Sequence, residues 1–251
     1  MTLLTVRGLA KSFGGVAAVA GVDFDVAAGE VVALIGPNGA GKTTCFNMVG
    51  GQLVPDAGAI RFDGHEVTGR PARAIWRLGI GRTFQIATTF ASMTVLENLQ
   101  IALLSHRRRL ADPVSSIKSL EIAAARDLLA QVGMADRAER QAAELAYGEL
   151  KRLELAVALA GDPRLLLLDE PTAGLGKSER GVLMSLIDQV VQTRRVAVLF
   201  TEHDMDVVFG HAGRVIVLDR GRILTEGPPD VVRNDERVKD VYLGRSAVVA
   251  C

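Results

Sequence analysis

The sequence predicts an α/β fold organised around a mostly parallel, twisted sheet, and three observations support this prediction. Apolar runs at Val31–Ile35, 165–168 and 196–200 have the length and composition of strands that are buried on both faces. Stretches with helical spacing of apolar residues lie between these runs, and alternation of strands with helices is typical of a parallel sheet. The chain has 251 residues, of which 49% are hydrophobic, so it can bury a sizeable core.

The first part of the chain is predicted to be rich in β-structure. Strand-like segments at about 4–9, 18–26 and 59–62 are separated by glycine-containing turns. The apolar run at Val31–Ile35 is followed by a glycine-rich loop and then by a predicted helix from about 42 to 49, which two glycines close.

The second part is predicted to begin with an inserted helical region, from about 93 to 159, because apolar residues recur there at three- and four-residue spacing. Within it, residues 105–119 are polar and contain three consecutive arginines, which indicates a solvated surface loop; contact with lipid head groups or a membrane partner is the alternative. A further helix at 182–192 and a strand at 215–218 that continues into a hairpin complete the predicted core.

Charge, cysteine content and hydropathy exclude several classes of protein. The formal net charge is zero, whereas nucleic-acid-binding proteins usually show a basic excess, so we expect no nucleic-acid partner. Cys45 and Cys251 are far apart, which excludes a disulfide framework or a cysteine zinc site and fits a reducing cytoplasm. No apolar run approaches the roughly 18 residues of a membrane span, and the N-terminus lacks a signal-peptide core. If the chain serves a membrane process, we therefore expect it to reach the membrane by docking.

A phosphate-binding loop is the strongest motif in the chain. Residues 36–43 match G-x-x-x-x-G-K-[ST] and stand between a predicted strand and a predicted helix, as this motif requires. Its glycines let backbone N–H groups wrap the phosphates, and the helix N-terminus adds a favourable dipole. We expect Lys42 to contact the β- and γ-phosphates and the Thr43 hydroxyl to ligate Mg²⁺. The residues predicted to bind ATP here are Gly36, Pro37, Asn38, Gly39, Ala40, Gly41, Lys42, Thr43 and Thr44.

Two carboxylates and a histidine are predicted at the same edge of the sheet. Asp169 and Glu170 end the apolar run at 165–168, and an open parallel sheet binds its ligands beyond the carboxyl ends of the strands. We expect Asp169 to hold Mg²⁺ through water and Glu170 to act as general base on the attacking water; a strand-end salt bridge or a helix cap is the alternative. His203 follows the strand at 196–200 and is expected to keep Glu170 in register, with an ordinary packed histidine as the alternative.

A second motif points to a family. Residues 145–149, Leu-Ala-Tyr-Gly-Glu, stand at the start of a predicted helix about 20 residues before Asp169. This arrangement resembles the signature motif of the ATP-binding cassette (ABC) ATPases. Other landmarks of that family are matched by Phe13 at the adenine-stacking aromatic, Gln85 at the glutamine loop, 173–176 at the loop that crosses the dimer interface, and His203 at the switch histidine. Phe13 has a simpler alternative, as part of a β-core. The resemblance extends from about residue 3 to 244.

The resemblance implies a fold and a division of the chain. It implies a P-loop NTPase (RecA-like) core with an N-terminal antiparallel β subdomain and an inserted helical subdomain. The whole chain, 1–251, would be a single ABC ATP-binding domain. Its core would cover about 1–85 and 161–244, and the helical subdomain about 86–160.

The resemblance also implies a mechanism that needs partners. Two ATP molecules would be sandwiched between this chain and a second ATPase subunit, with Ala146 and Gly148 of the signature binding the γ-phosphate of the partner's ATP. Gln85 would be a catalytic residue and Mg²⁺ ligand, together with Thr43 and Asp169. The segment 86–99 would contact one of two membrane permease subunits, which an extracytoplasmic binding protein serves. The chain would then lie at the cytoplasmic face of the inner membrane.

Several segments resemble one group within the family. Residues 79–85, 93–98, 201–205 and 238–244 look like those of ATPase subunits of branched-chain amino acid importers and their relatives for urea and amides. The tail also resembles that of the lipopolysaccharide-export ATPase, although that exporter normally keeps serine in the signature.

Two departures from the family pattern affect the dimer interface. Ala146 replaces the signature serine, which removes a hydroxyl donor to the partner's γ-phosphate, and a hydrogen bond to a charged group contributes roughly 1.5–3 kcal/mol. Gly176 stands where aspartate or asparagine is usual, so a side-chain contact across the dimer is lost. Both changes weaken what this chain gives its partner, and they favour a second, different ATPase subunit over a homodimer.

Two other classes remain as alternatives. An ABC ATPase without a permease would serve cluster assembly, DNA repair or translation, but residues 45–144 are too short for a repair-type coiled coil, and the chain has one cassette. A different P-loop enzyme, such as a GTPase, would need an Asn-Lys-x-Asp tetrapeptide, which is not present in the sequence.

Overall fold

The computed structural model describes residues 1–83, 89–107 and 121–243. Its strands are β1 (Thr2–Phe13), β2 (Val16–Ala27), β3 (Val31–Ile35), β4 (Ala57–Phe62), β5 (His65–Glu66), β6 (Ile80–Arg82), β7 (Leu165–Asp169), β8 (Ala197–Thr201), β9 (Arg214–Asp219) and β10 (Arg222–Gly227). Its helices are α1 (Lys42–Val49), α2 (Ala72–Arg77), α3 (Val95–His106), α4 (Ile122–Gln131), α5 (Tyr147–Leu159), α6 (Lys177–Arg194), α7 (Met205–His211), α8 (Pro229–Asn234) and α9 (Glu236–Leu243).

Two sheets form the framework. The first is antiparallel, with the order β2-β1-β4-β5, and comes from the N-terminal part of the chain. The second has the order β10-β9-β3-β8-β7-β6, and its strands are parallel except for the hairpin of β9 with β10. The predicted α/β fold and the predicted N-terminal antiparallel sheet are therefore confirmed.

The central strands are buried on both faces, as their continuous apolar sequence indicates. In β3, Ala33 and Ile35 pack in one hydrophobic cluster, while Val32 and Leu34 pack in another. The first cluster is formed largely with the helices of the second half of the chain, and the second with α1 and the antiparallel sheet. Because successive side chains of a strand point to opposite faces, one short apolar run supplies both layers.

Local sequence signals explain where several helices begin and end. Thr94 precedes α3, its hydroxyl accepts from the Glu97 N–H at 3.1 Å, and the Glu97 carboxylate accepts from the Thr94 N–H at 2.9 Å. This reciprocal pair is a capping box, which satisfies two N–H groups at the helix end. At the other end, α3 continues to His106, whose ring packs edge-on against Trp76 with centroids 5.1 Å apart. The predicted start of the surface loop at residue 105 is therefore wrong, because residues 105 and 106 belong to α3. Residues 108–120 lie outside the described residues.

Replacing Leu167 by alanine is expected to lower the free energy of unfolding by about 2–5 kcal/mol. Leu167 lies in the middle of β7 with none of its surface exposed, so the truncation leaves a cavity between the sheet and α1. Denaturant unfolding of the purified chain measures the change. Val231→Ala is the matched control, because Val231 is 60% exposed and its truncation should change stability by less than about 0.5 kcal/mol.

Within the described ranges, no helix combines the length and the apolar character needed to cross a membrane.

Candidate functional site

An open cleft lies at the carboxyl edge of the parallel sheet, beyond the ends of β3, β7 and β8. It brings together several residues that are far apart in sequence and that the sequence assigned to one site. The lining residues are Phe13, Ala18, Asn38, Gly39, Ala40, Gly41, Lys42, Thr43, Thr44, Glu170 and His203. Phe13 is half exposed at the mouth of this cleft, so it does not belong to the β-core that its alternative interpretation required.

The backbone of the phosphate loop requires glycine at two positions. Gly36 has φ +153°, and a Cβ there would lie 2.2 Å from the carbonyl oxygen of Leu218. Gly41 has φ +106°, and a Cβ there would lie 2.3 Å from the carbonyl oxygen of Ala18. Both residues combine a left-handed φ with a close backbone contact, which other residues cannot adopt without displacement of a neighbouring strand. The loop is thus held tightly against β2 and β9.

Lys42 is buried beneath this loop. Its ammonium group donates to the carbonyl oxygens of Gly36 at 2.6 Å and Pro37 at 3.2 Å. Burial lowers the pKa of Lys42, and the nearby carboxylates of Glu170 and Asp169 oppose that shift. The cleft therefore contains a positive charge that is held in place by backbone acceptors, at the point where α1 begins and points its free N–H groups outward.

Asp169 is fixed by two donors at the end of β7. Its Oδ1 accepts from the Thr201 hydroxyl at 2.8 Å, and its Oδ2 accepts from an Arg82 Nη2 at 3.2 Å. Asp169 is 6% exposed, whereas Thr43 is exposed in the cleft. A carboxylate and a hydroxyl are hard oxygen donors, which fit Mg²⁺ shared with phosphate oxygens and water. Among the described residues, no group of three or more acidic, cysteine or histidine side chains could hold a metal ion. Mg²⁺ at this site would therefore need phosphate oxygens and water as further ligands.

Glu170 occupies an unusual backbone conformation directly after β7. Its φ is +49°, and its N–H donates to both the carbonyl and the hydroxyl oxygen of Thr201, each at 3.1 Å. Its Oε1 lies 2.8 Å from Nε2 of His203. The structure thus joins the two residues that the sequence placed at neighbouring strand ends, and it turns the Glu170 carboxylate toward the cleft.

Arg82 is a site residue whose individual role the sequence did not reveal. Besides Asp169, its guanidinium donates to the Asn47 side chain at 2.8 Å and to the Phe46 carbonyl at 3.0 Å, and so it ties α1 to the end of β7. Burial lowers the pKa of Arg82, while Asp169 opposes the shift. Arg82 ends β6, which pairs parallel with β7, so its guanidinium lies at the same edge of the sheet as Asp169. The sequence offered no signal for this contact, because it did not show which strand is the neighbour of β7.

The signature segment lies elsewhere on the surface. Ala146 is exposed just before α5, and its N–H donates to the Glu149 carboxylate at 3.1 Å. Gly148 packs so closely on Glu179 that a Cβ there would lie 2.8 Å from its Oε1. A Cβ on Gly174 would lie 3.0 Å from the Tyr147 ring. The signature and the 173–176 loop therefore form one surface, and neither Ala146 nor Gly148 lines the cleft of its own chain.

Two predicted features are only partly within the described residues. Gln85 lies outside them, so its predicted catalytic and metal-binding roles stay predictions. The segment 86–99 is described from residue 89 onward. There Leu96 and Leu99 are buried, whereas Phe90 is 52% exposed, so the described part of this segment offers an apolar contact at its start.

Comparison with known proteins gives a consistent result. Residues 19–173 match the family model described as ABC transporter, and residues 222–248 match the one described as branched-chain amino acid ATP-binding cassette transporter. The chain is 40% identical to the high-affinity branched-chain amino acid transport ATP-binding protein BraF of Pseudomonas aeruginosa, over 97% of this chain and 98% of that protein. It is 38% identical to LivG of Escherichia coli, which carries the same description, with the same two coverages.

Solved structures give the same picture. A nucleotide-free ATP-binding cassette from an ABC transporter superposes with a TM-score of 0.84 at 29% identity, over 96% of this chain and 99% of that one. The ADP conformation of MJ1267, another such cassette, superposes with a TM-score of 0.87 at 29% identity, over 97% and 99%.

Proposed function

The chain belongs to the ABC transporter family as an ATP-hydrolysing subunit, and from that premise we propose that it drives uptake of branched-chain amino acids, or of related polar amino acids and amides, through a membrane permease. The observation that carries this proposal is similarity to two branched-chain amino acid transport subunits over 97% of the chain, together with the match of residues 222–248 to the branched-chain amino acid family model.

Several residues in and beside the cleft are suited to roles in ATP binding and hydrolysis. Phe13 stacks on the adenine, the phosphate loop from Gly36 to Thr44 wraps the phosphates, and Lys42 contacts the β- and γ-phosphates. Thr43, Asp169 and Gln85 would hold Mg²⁺, which would supply positive charge to neutralise the phosphates. Glu170 takes a proton from the attacking water as general base, and His203 keeps its carboxylate in position.

A dimer would complete this site. We place the signature segment, in which Ala146 is exposed and Gly148 is buried, against the γ-phosphate bound by a partner's phosphate loop, so that ATP holds two subunits together. Ala146 has no hydroxyl to donate, and Gly176 has no side chain to cross the interface. These departures favour a different ATPase subunit as the partner. The segment that includes Phe90 would contact one of two permease subunits at the cytoplasmic face of the inner membrane. An extracytoplasmic binding protein would supply the substrate.

Affinity capture tests this assembly. A tagged Glu170→Gln chain is expressed in its own cells and recovered from solubilised membranes with ATP and Mg²⁺, because slow hydrolysis keeps the closed state populated. A Lys42→Ala, Glu170→Gln chain is the matched control, since it carries the same tag but a defective phosphate loop. Mass spectrometry is expected to find two multi-helix permeases and a second, similar ATPase, more strongly with the first chain than with the control. The same complex, reconstituted with the unaltered chain in place of the Glu170→Gln chain, should import leucine with ATP.

Other outcomes would revise specific parts of the proposal. Capture of no membrane protein would contradict the importer assembly. Hydrolysis by a homodimer at a typical transporter rate would contradict the heterodimer. Import of another solute, with no response to leucine, would contradict the substrate class and leave the ATPase assignment intact.

A further inference from the structure

Glu202 is a buried carboxylate between the two strand ends that carry Glu170 and His203. It is 3% exposed and lies directly after β8. Its Oε1 accepts from the N–H of Thr172 at 2.8 Å and from the Thr172 hydroxyl at 2.7 Å. Its Oε2 accepts from the N–H of His203 at 3.2 Å. One side chain thus binds the loop after β7 and the loop after β8.

These contacts close a ring through the candidate catalytic pair. Thr172 is two residues after Glu170, and Glu202 links it to the backbone of His203. The His203 ring then returns to the Glu170 carboxylate at 2.8 Å. A displacement of either loop would therefore change the distance between the Glu170 carboxylate and the His203 ring.

The contacts of Glu202 suit it to hold two loops together and not to contact the nucleotide directly. Glu202 does not line the cleft, and the three hydrogen bonds that its carboxylate accepts come from donors in the two loops. A buried carboxylate that loses its hydrogen bonds is strongly destabilising. Any movement of the two loops that breaks these three bonds is therefore unfavourable, and Glu202 restrains both loops.

We propose that Glu202 is a positioning residue for ATP hydrolysis, which holds the Glu170 loop and His203 at the separation that activates the attacking water. This inference rests on the proposed function, in which Glu170 is the general base. Geometry of this kind affects the rate strongly, because a misplacement of about 1 Å can cost on the order of 100-fold.

Glu202→Gln is the sharpest single change. The amide keeps the shape of the side chain but has one acceptor oxygen, so it can satisfy Thr172 or His203 and must present its NH₂ group to the other donor. Glu30→Gln is the matched control. Glu30 is also a partly buried carboxylate that joins two segments, through the Ala27 N–H and Arg214 at 2.7 Å each, but it lies at the opposite end of the sheet just before β3.

Single-turnover hydrolysis of radiolabelled ATP by the assembly reconstituted with the full-length chain, together with the dissociation constant of MgATP for that chain, separates chemistry from binding. Glu202→Gln is expected to lower the hydrolysis rate by about 10- to 100-fold while the dissociation constant changes by less than about two-fold. Glu30→Gln should leave both within about two-fold. In a His203→Ala background, Glu202→Gln should lower the rate by less than about three-fold, because its target is already absent.

The outcomes decide between positioning and plain stability. An unchanged rate for Glu202→Gln, an equal loss for Glu30→Gln, or a full additional loss in the His203→Ala background would each overturn the proposal. If Glu202→Gln fails to fold, Thr172→Val replaces it, since it removes one of the same hydrogen bonds at constant volume and should slow hydrolysis without weakening MgATP binding. Failure of the proposed function looks different, because the assembly that contains the unaltered chain would then show no hydrolysis that depends on Glu170.

Discussion

Lys42→Ala is expected to weaken ATP binding by about 100-fold or more. A hydrogen bond to a charged group contributes roughly 1.5–3 kcal/mol, so loss of an ammonium that contacts two phosphates corresponds to at least two powers of ten in affinity. The structure supports a large effect because Lys42 is 6% exposed, and its ammonium is already held by the Gly36 and Pro37 carbonyls. Little conformational freedom remains to be lost when the nucleotide binds.

Binding of a fluorescent ATP analogue to the full-length chain measures this change, with Mg²⁺ held constant. Lys239→Ala is the control, because Lys239 is an exposed lysine on α9 whose loss should leave affinity unchanged. Lys42→Arg should not restore binding, since the planar guanidinium does not fit a slot shaped for a compact ammonium. Retention of affinity within about three-fold in Lys42→Ala would refute the phosphate-loop assignment.

Much of the fold follows from local patterns in the sequence. Five apolar residues at Val31–Ile35, followed by a glycine-rich loop, identified both the strand and the start of α1. Such runs are informative because a strand buried on both faces must be apolar throughout. Boundaries were less predictable: α6 begins at Lys177, several residues before its predicted start. There Glu179 accepts from the Gly176 N–H at 3.2 Å and caps a helix turn that has few apolar residues.

The site was predictable where strand order decides it. Glu170 and His203 follow different apolar runs, and parallel pairing of β7 with β8 brings both to one edge. The contacts that hold them were not predictable, since they depend on strand neighbours and on burial. Arg82 approaches Asp169 because β6 is next to β7, and Glu202 is buried because two loops cover it. No spacing along the chain indicates either pairing.

Glu170→Gln is expected to slow hydrolysis at this chain's own phosphate loop by about 100-fold or more while MgATP binding stays within a few-fold, because general-base catalysis contributes typically 10²–10⁴-fold. Glutamine has the same shape, and the backbone N–H of residue 170 can still donate to Thr201, so the left-handed turn should persist. What is lost is the carboxylate that accepts the proton from water. Single-turnover hydrolysis measures the change, and Glu226→Gln, on the exposed face of β10, is the control.

The same substitution in the complete assembly distinguishes the two sites of a heterodimer. ATP on this chain's loop would be completed by the partner's signature, whereas ATP on the partner's loop would meet Ala146, which lacks the hydroxyl. Loss of roughly 1.5–3 kcal/mol at the second site corresponds to about 10-fold or more in its use of ATP. Most turnover would then occur at the site of Glu170, so Glu170→Gln should leave about a tenth or less of the assembly's activity. A residual activity near one half would show that both sites hydrolyse equally and that Ala146 has no such effect, and full residual activity would remove Glu170 from the mechanism.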